Sequence, residues 1–211
     1  MELEKAFAQY KRYFRDKIAV HGPVPQGVDY NGPEAQVLRF EQLIKVIEPA
    51  PRFEIIDFGC GYGGLLTFLQ AKGWDFVYHG YDMLEQMVGV ARETHAGAPN
   101  ADFMTSAAEL RPCDYVLAGA IFNNKFDAPA DAWREYSMHV LRQMSQLCTK
   151  GLAFNMLSRY SDADRVAARP DLYFADPLFY FDYCKTALAP DVALLHDYGL
   201  HDFTILVRKH G

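Results

Sequence analysis

The chemically richest stretch of the chain is Ile55-Ile56-Asp57-Phe58-Gly59-Cys60-Gly61-Tyr62-Gly63-Gly64. An apolar strand-like run leads into glycines, which permit positive φ and let a ligand approach bare backbone. In an open parallel sheet, ligands bind at the carboxyl ends of strands, near the topological switch point, where such a turn belongs. Nineteen positions past Gly63, after a second strand-like run, comes Asp82. An acid at that place can accept both hydroxyls of a ribose. Turn, helix start and later acid together point to a nucleoside cofactor; the plainer reading is a tight turn and a surface aspartate.

Gly59, Gly61 and Gly64 also satisfy the dinucleotide fingerprint. Two features oppose that assignment. Asp57 sets a negative charge where a pyrophosphate would sit, and suits an amino-acid ammonium instead. A nicotinamide enzyme also needs room for a substrate domain, and 211 residues without a boundary leave little. S-adenosylmethionine has an ammonium and no phosphate, and fits better. Asp57-x-Gly59-x-Gly61-x-Gly63, with Asp82 after the next strand, resembles the class I, Rossmann-like S-adenosylmethionine-dependent methyltransferases. The resemblance runs from about Phe53 to Arg208. It implies that Asp57 and the backbone from Gly59 through Cys60, Gly61 and Tyr62 to Gly63 meet the methionine part. It also implies that Asp82 holds the ribose and Met83 packs on the adenine. Where the family often presents Asp-Ala to the adenine amino group, this chain has Ser106-Ala107, which leaves a backbone NH for that contact. Ala118-Gly119-Ala120 matches the place where small residues let the methionine part lie close. Arg39 either reaches the cofactor carboxylate or is a solvated helix charge.

Methyl transfer needs an in-line nucleophile held close, and positioning alone supplies several kcal/mol. A general base is required only for a poorly acidic hydroxyl or a protonated amine. Three segments are expected to frame the acceptor: 21–31, 122–126 and 158–176. His21 is the one acid–base candidate, against the simpler reading of a loop histidine. Asn123 and Asn124 are either acceptor contacts or turn formers. Tyr13, Tyr30, Phe122, Phe126, Tyr160 and Tyr173 are expected to build an aromatic lid. Phe179 and Tyr183 share a helix face and read as core, whereas Tyr173 and Tyr180 are freer. His139 and His196 read as structural.

The elements that must position these groups follow from periodicity. Phe7, Tyr10, Phe14 and Ile18 mark a first helix, broken by His21-Gly22-Pro23-Val24-Pro25. A second helix opens at Asn31-Gly32-Pro33, with Val37, Phe40, Ile44 and Ile47 on its apolar face. Strands then alternate with helices: 53–58, 63–72, 76–81, 83–95, 101–105, 114–120, 131–148 and 152–157. A helix opening at Asp176-Pro177 and a hairpin of 192–196 with 203–208 complete the pattern. Runs too apolar to be half-exposed imply a parallel sheet covered on both faces. The expected fold is α/β: a doubly wound, mostly parallel seven-stranded sheet with a C-terminal antiparallel hairpin and an N-terminal helical cap. The expected division is a cap over residues 1–50, part of the same domain, and a cofactor-binding unit over 51–211.

Composition narrows the function. The chain is 50% hydrophobic and 23% charged, with a formal charge of -6, so it can bury a large core and offers no footprint for nucleic acid. With acids at the N-terminus no secretory signal is expected there, and no run approaches the ~20 apolar residues of a membrane span. The cysteines at 60, 113, 148 and 184 lack metal or redox spacing, so no metal is expected and a cytoplasmic setting fits. The 13 Tyr, 15 Phe and 2 Trp are either core filler or pocket wall. The leading expectation is direct methyl transfer from S-adenosylmethionine, leaving S-adenosylhomocysteine, to a small acceptor of aromatic or apolar character. A protein acceptor, or a non-catalytic cofactor-binding scaffold, are the alternatives.

Overall fold

The computed structural model describes residues 2–209; the domain limits expected at 1 and 211 lie outside them. The elements follow the order α1 (Glu2–His21), α2 (Pro33–Leu43), β1 (Phe53–Phe58), α3 (Gly64–Ala71), β2 (Phe76–Tyr81) and α4 (Glu85–Thr94). Then come β3 (Ala101–Met104), β4 (Cys113–Ala118), α5 (Ala130–Leu147), β5 (Cys148–Leu157), α6 (Ala163–Ala168), α7 (Pro177–Ala187), β6 (Asp191–Leu195) and β7 (Asp202–Arg208). The sheet has seven strands in the order β3-β2-β1-β4-β5-β7-β6. Every neighbouring pair is parallel except those of β7, which runs antiparallel to both β5 and β6. The order reverses between β1 and β4, which places the glycine turn at the switch point.

Successive residues of a strand face opposite sides of the sheet, and the core divides accordingly. Ile56, Val116, Phe154 and Ile205 pack beneath Trp133, Leu141 and Met144 of α5 and Tyr180 and Cys184 of α7. Ile55, Tyr115, Leu117 and Leu206 face α2, α3 and α4 through Phe40, Leu43, Leu65, Leu69 and Val88. Both faces are buried, as continuous apolar strands require. A third, smaller cluster joins Phe14 and Ile18 of α1 to Tyr62, Leu84 and Met87, so the first helix docks on the glycine turn and α4.

Three expectations are corrected. The buried face of α2 is formed by Gln36, Arg39, Phe40 and Leu43, while Val37 is 40% exposed. That face tolerates polar groups because each has a buried partner, Tyr62 for Gln36 and Asp202 for Arg39. Tyr180 and Tyr173 are buried and Phe179 is exposed, the reverse of the expected roles. Tyr180 is drawn inward by Ser137, whose hydroxyl lies 2.7 Å from the phenol. Finally, the segment expected as an irregular loop contains the short α6. α7 starts as expected: the Asp176 carboxylate accepts the Leu178 NH at 3.0 Å, and Pro177 occupies the first turn. No helix among the described residues is long and apolar enough to cross a membrane.

Candidate active site

The two acids flagged by spacing stand at the carboxyl ends of adjacent parallel strands. Asp57, near the end of β1, sits in register beside Gly80 of β2 and Leu117 of β4. It is 4% exposed and accepts the Tyr78 hydroxyl at 2.7 Å. Burial pushes its carboxyl up to about 7, against the opposing pull of the Tyr78 bond. Asp82, directly after β2, accepts the Gly61 NH at 3.0 Å and the Leu84 NH at 2.9 Å. Burial raises it to about 6, with those two bonds acting the other way. Two buried carboxylates held this high favour a ligand that brings positive charge or hydroxyl donors.

The glycine turn between them has left-handed backbone at Gly59 (φ 86°) and Gly61 (φ 54°). A Cβ at Gly59 would lie 2.3 Å from the Ile121 side chain, so only glycine fits. The Gly59 and Cys60 NH groups donate to the Tyr81 carbonyl at 2.7 and 2.9 Å, and Gly61 donates to Asp82. Three NH groups that would cradle a pyrophosphate are thus spent on the end of β2. With Asp57 behind them, the turn suits an ammonium and does not suit a dinucleotide. Across the turn, Ala120 follows β4 in left-handed backbone (φ 59°), fixed by the Asn155 side-chain carbonyl, which accepts its NH at 2.7 Å. Such a conformation is uncommon outside glycine and is held in place by its surroundings.

Two cavities flank the turn. The smaller, about 140 Å³, is bounded by Asp57, Gly61, Gly119, Asn123, Asn124 and Arg39. The larger, about 310 Å³, is bounded by Asp82, Met83, Ala107, Phe58, Tyr81 and Tyr136. Tyr10, Gly59 and Ile121 border both, so the two cavities are neighbours beside α1. The Tyr10 phenol is pushed well above its usual range by burial and by Asp82, and it stays protonated.

The remaining expected site residues divide. Cys60 and Tyr62 border the smaller cavity; the Tyr62 hydroxyl donates to Gln36 at 2.8 Å, and burial pushes the Cys60 thiol far up. Gly63 faces His95 and Phe103, away from both cavities. Ser106 borders neither cavity, and its carbonyl accepts the Glu109 NH. Arg39 borders the smaller cavity and lies over the Tyr30 ring, but its guanidinium is already committed. Two bonds of 2.7 Å join it to Asp202, which is 1% exposed. A cofactor carboxylate would therefore meet a neutralised arginine. Tyr30, Asn123 and Asn124 border the smaller cavity, and Asn123 is anchored by the Leu157 NH at 3.0 Å. His21 and Tyr13 face a separate outer groove with Phe126. Tyr160 is exposed beside His196, and Tyr173 is buried against Tyr180. Phe122 is buried against Phe154. Of the six expected lid aromatics, only Tyr30 borders the paired cavities; Tyr10 and Phe14 of α1 supply the rings instead. Their helical spacing was visible in the sequence, but it reads equally as ordinary core. No group of three His, Cys, Asp or Glu among the described residues could hold a metal ion.

A sheet of this order, switching between β1 and β4 and closed by an antiparallel β7, with a glycine turn between two acids, defines the Rossmann-like methyltransferase class. The chain belongs to the methyltransferase family. It is 42% identical over 166 residues to the Mycobacterium tuberculosis protein named "Putative methyltransferase Rv1506c", an alignment covering 79% of this chain and 99% of that one. No family model matches the chain. Among solved structures, human N-acetylserotonin methyltransferase, crystallised with S-adenosylmethionine, superposes with a TM-score of 0.71 at 15% identity. The match covers all of this chain and 61% of that enzyme, so the chain spans about three fifths of its length. The N-methyltransferase NodS of Bradyrhizobium japonicum, in complex with S-adenosylhomocysteine, gives 0.66 at 11% identity, covering 95% of this chain and 98% of NodS. The plantazolicin methyltransferase BpumL, also with S-adenosylhomocysteine, gives 0.64 at 14% identity, covering 99% and 96%. These three likenesses establish the fold.

Proposed function

We propose that the chain binds S-adenosylmethionine across the two neighbouring cavities and methylates a small acceptor beyond it. The observation that carries this reading is the pair of buried carboxylates on either side of a glycine turn whose NH groups are already consumed. On this reading Asp57 holds the ammonium of the methionine part, and Asp82 accepts from the ribose hydroxyls. Met83 and Ala107 lie against the adenine, and Gly119 leaves room for the methionine chain. When bound, the cofactor supplies an activated methyl group to a nucleophile placed in line. Tyr10, on α1 at the junction of the cavities, excludes water from that point. On this reading His21 does not serve as a base, because it faces the outer groove. A small acceptor is supported by the confinement of the site beneath α1. The fold neighbours named for N-acetylserotonin and plantazolicin point the same way. The formal charge of -6 weighs against a nucleic-acid acceptor. Calorimetric titration with S-adenosylmethionine and S-adenosylhomocysteine tests the cofactor assignment: micromolar binding is expected, and no binding at high micromolar concentration would sink it.

A further inference from the structure

The carboxyl ends of adjacent strands present different chemistry. Asp82 follows β2, Asp57 ends β1, and Gly119 follows β4. One strand further on, Leu157 ends β5, and α6 comes shortly after it. If the cofactor occupies the first three stations, as proposed above, the acceptor lies over β4 and β5. Two polar atoms stand there without partners: Asn124 Oδ1 and Arg165 Nε are both buried and neither makes a hydrogen bond. Both residues border the smaller cavity, and Asn124 is 6% exposed. Of the other ionisable groups at this cavity, Arg39 pairs with Asp202, Arg169 with Asp171 and Asp29 with Lys17, while Asp57 accepts the Tyr78 hydroxyl. Arg165 alone of these makes no ion pair or hydrogen bond among the described residues. A guanidinium does not lose its proton, so the unpaired charge persists. A buried donor or acceptor left unmatched is costly, and a ligand that matches it recovers that cost.

Backbone hydrogen bonds frame these atoms. The Lys125 and Phe126 NH groups donate to the Asp171 carbonyl at 3.0 and 2.8 Å, and the Tyr173 NH donates to the Asn123 carbonyl at 2.8 Å. Asn124 is therefore held against segment 171–173, close to the end of α6.

We infer that the acceptor carries an oxyanion, a carboxylate or a phosphate ester, which pairs with Arg165. A hydroxyl or N–H on the same molecule donates to Asn124 Oδ1. This replaces the expected apolar acceptor with a polar, anionic one. The inference rests on the cofactor assignment, so its test uses the full chain saturated with S-adenosylhomocysteine. Calorimetry compares 4-hydroxybenzoate with 4-hydroxybenzamide, and glucose 6-phosphate with glucose. At least one oxyanion probe should bind ten or more times tighter than its uncharged counterpart, and the arm that wins identifies carboxylate or phosphate. Arg165→Gln should remove that preference and Arg165→Lys should keep part of it, both with S-adenosylhomocysteine affinity within twofold of wild type. Absence of any oxyanion preference, or a preference that survives Arg165→Gln, overturns the inference. Failure of wild type to bind S-adenosylhomocysteine would instead remove the cofactor assignment, and this inference with it.

Discussion

Cofactor affinity should rise with pH across neutrality, and the size of the rise follows from Asp57. Its buried carboxyl titrates at about 7 in the free protein. An ammonium placed against it stabilises the ionised form, so binding S-adenosylhomocysteine expels the proton. With a free-state value of 7, roughly one tenth of the protein carries the ionised carboxylate at pH 6 and roughly nine tenths at pH 8. The dissociation constant should therefore fall about tenfold over that interval, about 1.4 kcal/mol. Asp82, at about 6, adds up to roughly a further twofold if the ribose requires it ionised. Titration in buffers of different ionisation enthalpy should show close to one proton released per ligand near pH 6 and little near pH 8. Asp57→Asn should bind more weakly and lose the dependence. A flat profile in wild type, or one that falls with pH, would refute the placement of the ammonium at Asp57.

Four further outcomes are expected. Asp57 has a folded value of about 7 against an ordinary 3.8, so its stabilising effect is complete below pH ~4 and is lost as pH rises through 7. Without cofactor, Asp57→Asn should then raise the melting temperature by several degrees at pH 8 and scarcely at pH 4.5, since the ionised carboxylate costs about 4 kcal/mol when buried. Asp82→Ala strips the acceptor from two buried NH groups and should cost about 1–3 kcal/mol in urea unfolding for each. It should also abolish most S-adenosylhomocysteine binding in calorimetry. Gly59→Ala combines a left-handed φ with a Cβ 2.3 Å from Ile121 and should weaken both folding and cofactor binding; adding Ile121→Ala should restore only the steric share. Arg39→Met leaves Asp202 buried and unpaired and should cost about 3–5 kcal/mol, read from denaturant midpoints. The double variant with Asp202→Leu should recover much of that loss.

The strands are legible because this sheet is buried on both faces, so Phe53–Phe58 and Cys113–Ala118 read as mostly apolar runs, interrupted only by Glu54, Asp57 and Asp114. Asp57 and Asp82 were legible because the glycines and the strand ends fixed their places locally. Arg39 was not, since its role depends on Asp202, a partner 163 residues away that no periodicity points to. Tyr180 misled for a similar reason: helical spacing gives a face, but Ser137 on another helix decides which way that face turns. Tyr10 and Phe14 read as a helical stripe, and nothing in their spacing says what that stripe covers. Arg165 lay in a segment whose polar composition hid a six-residue helix.

The Arg39–Asp202 bond has a consequence for when a newly made chain can become active. Strand β7 is inserted between β5 and β6 although it is the last of the three to leave the ribosome, and its first residue neutralises an arginine on the second helix. Until residue 202 has emerged and docked, Arg39 stands unpaired beside the smaller cavity and the β5 edge lies open. A ribosome-bound chain stalled before β7 should thus carry every residue proposed to hold the cofactor and still fail to retain it.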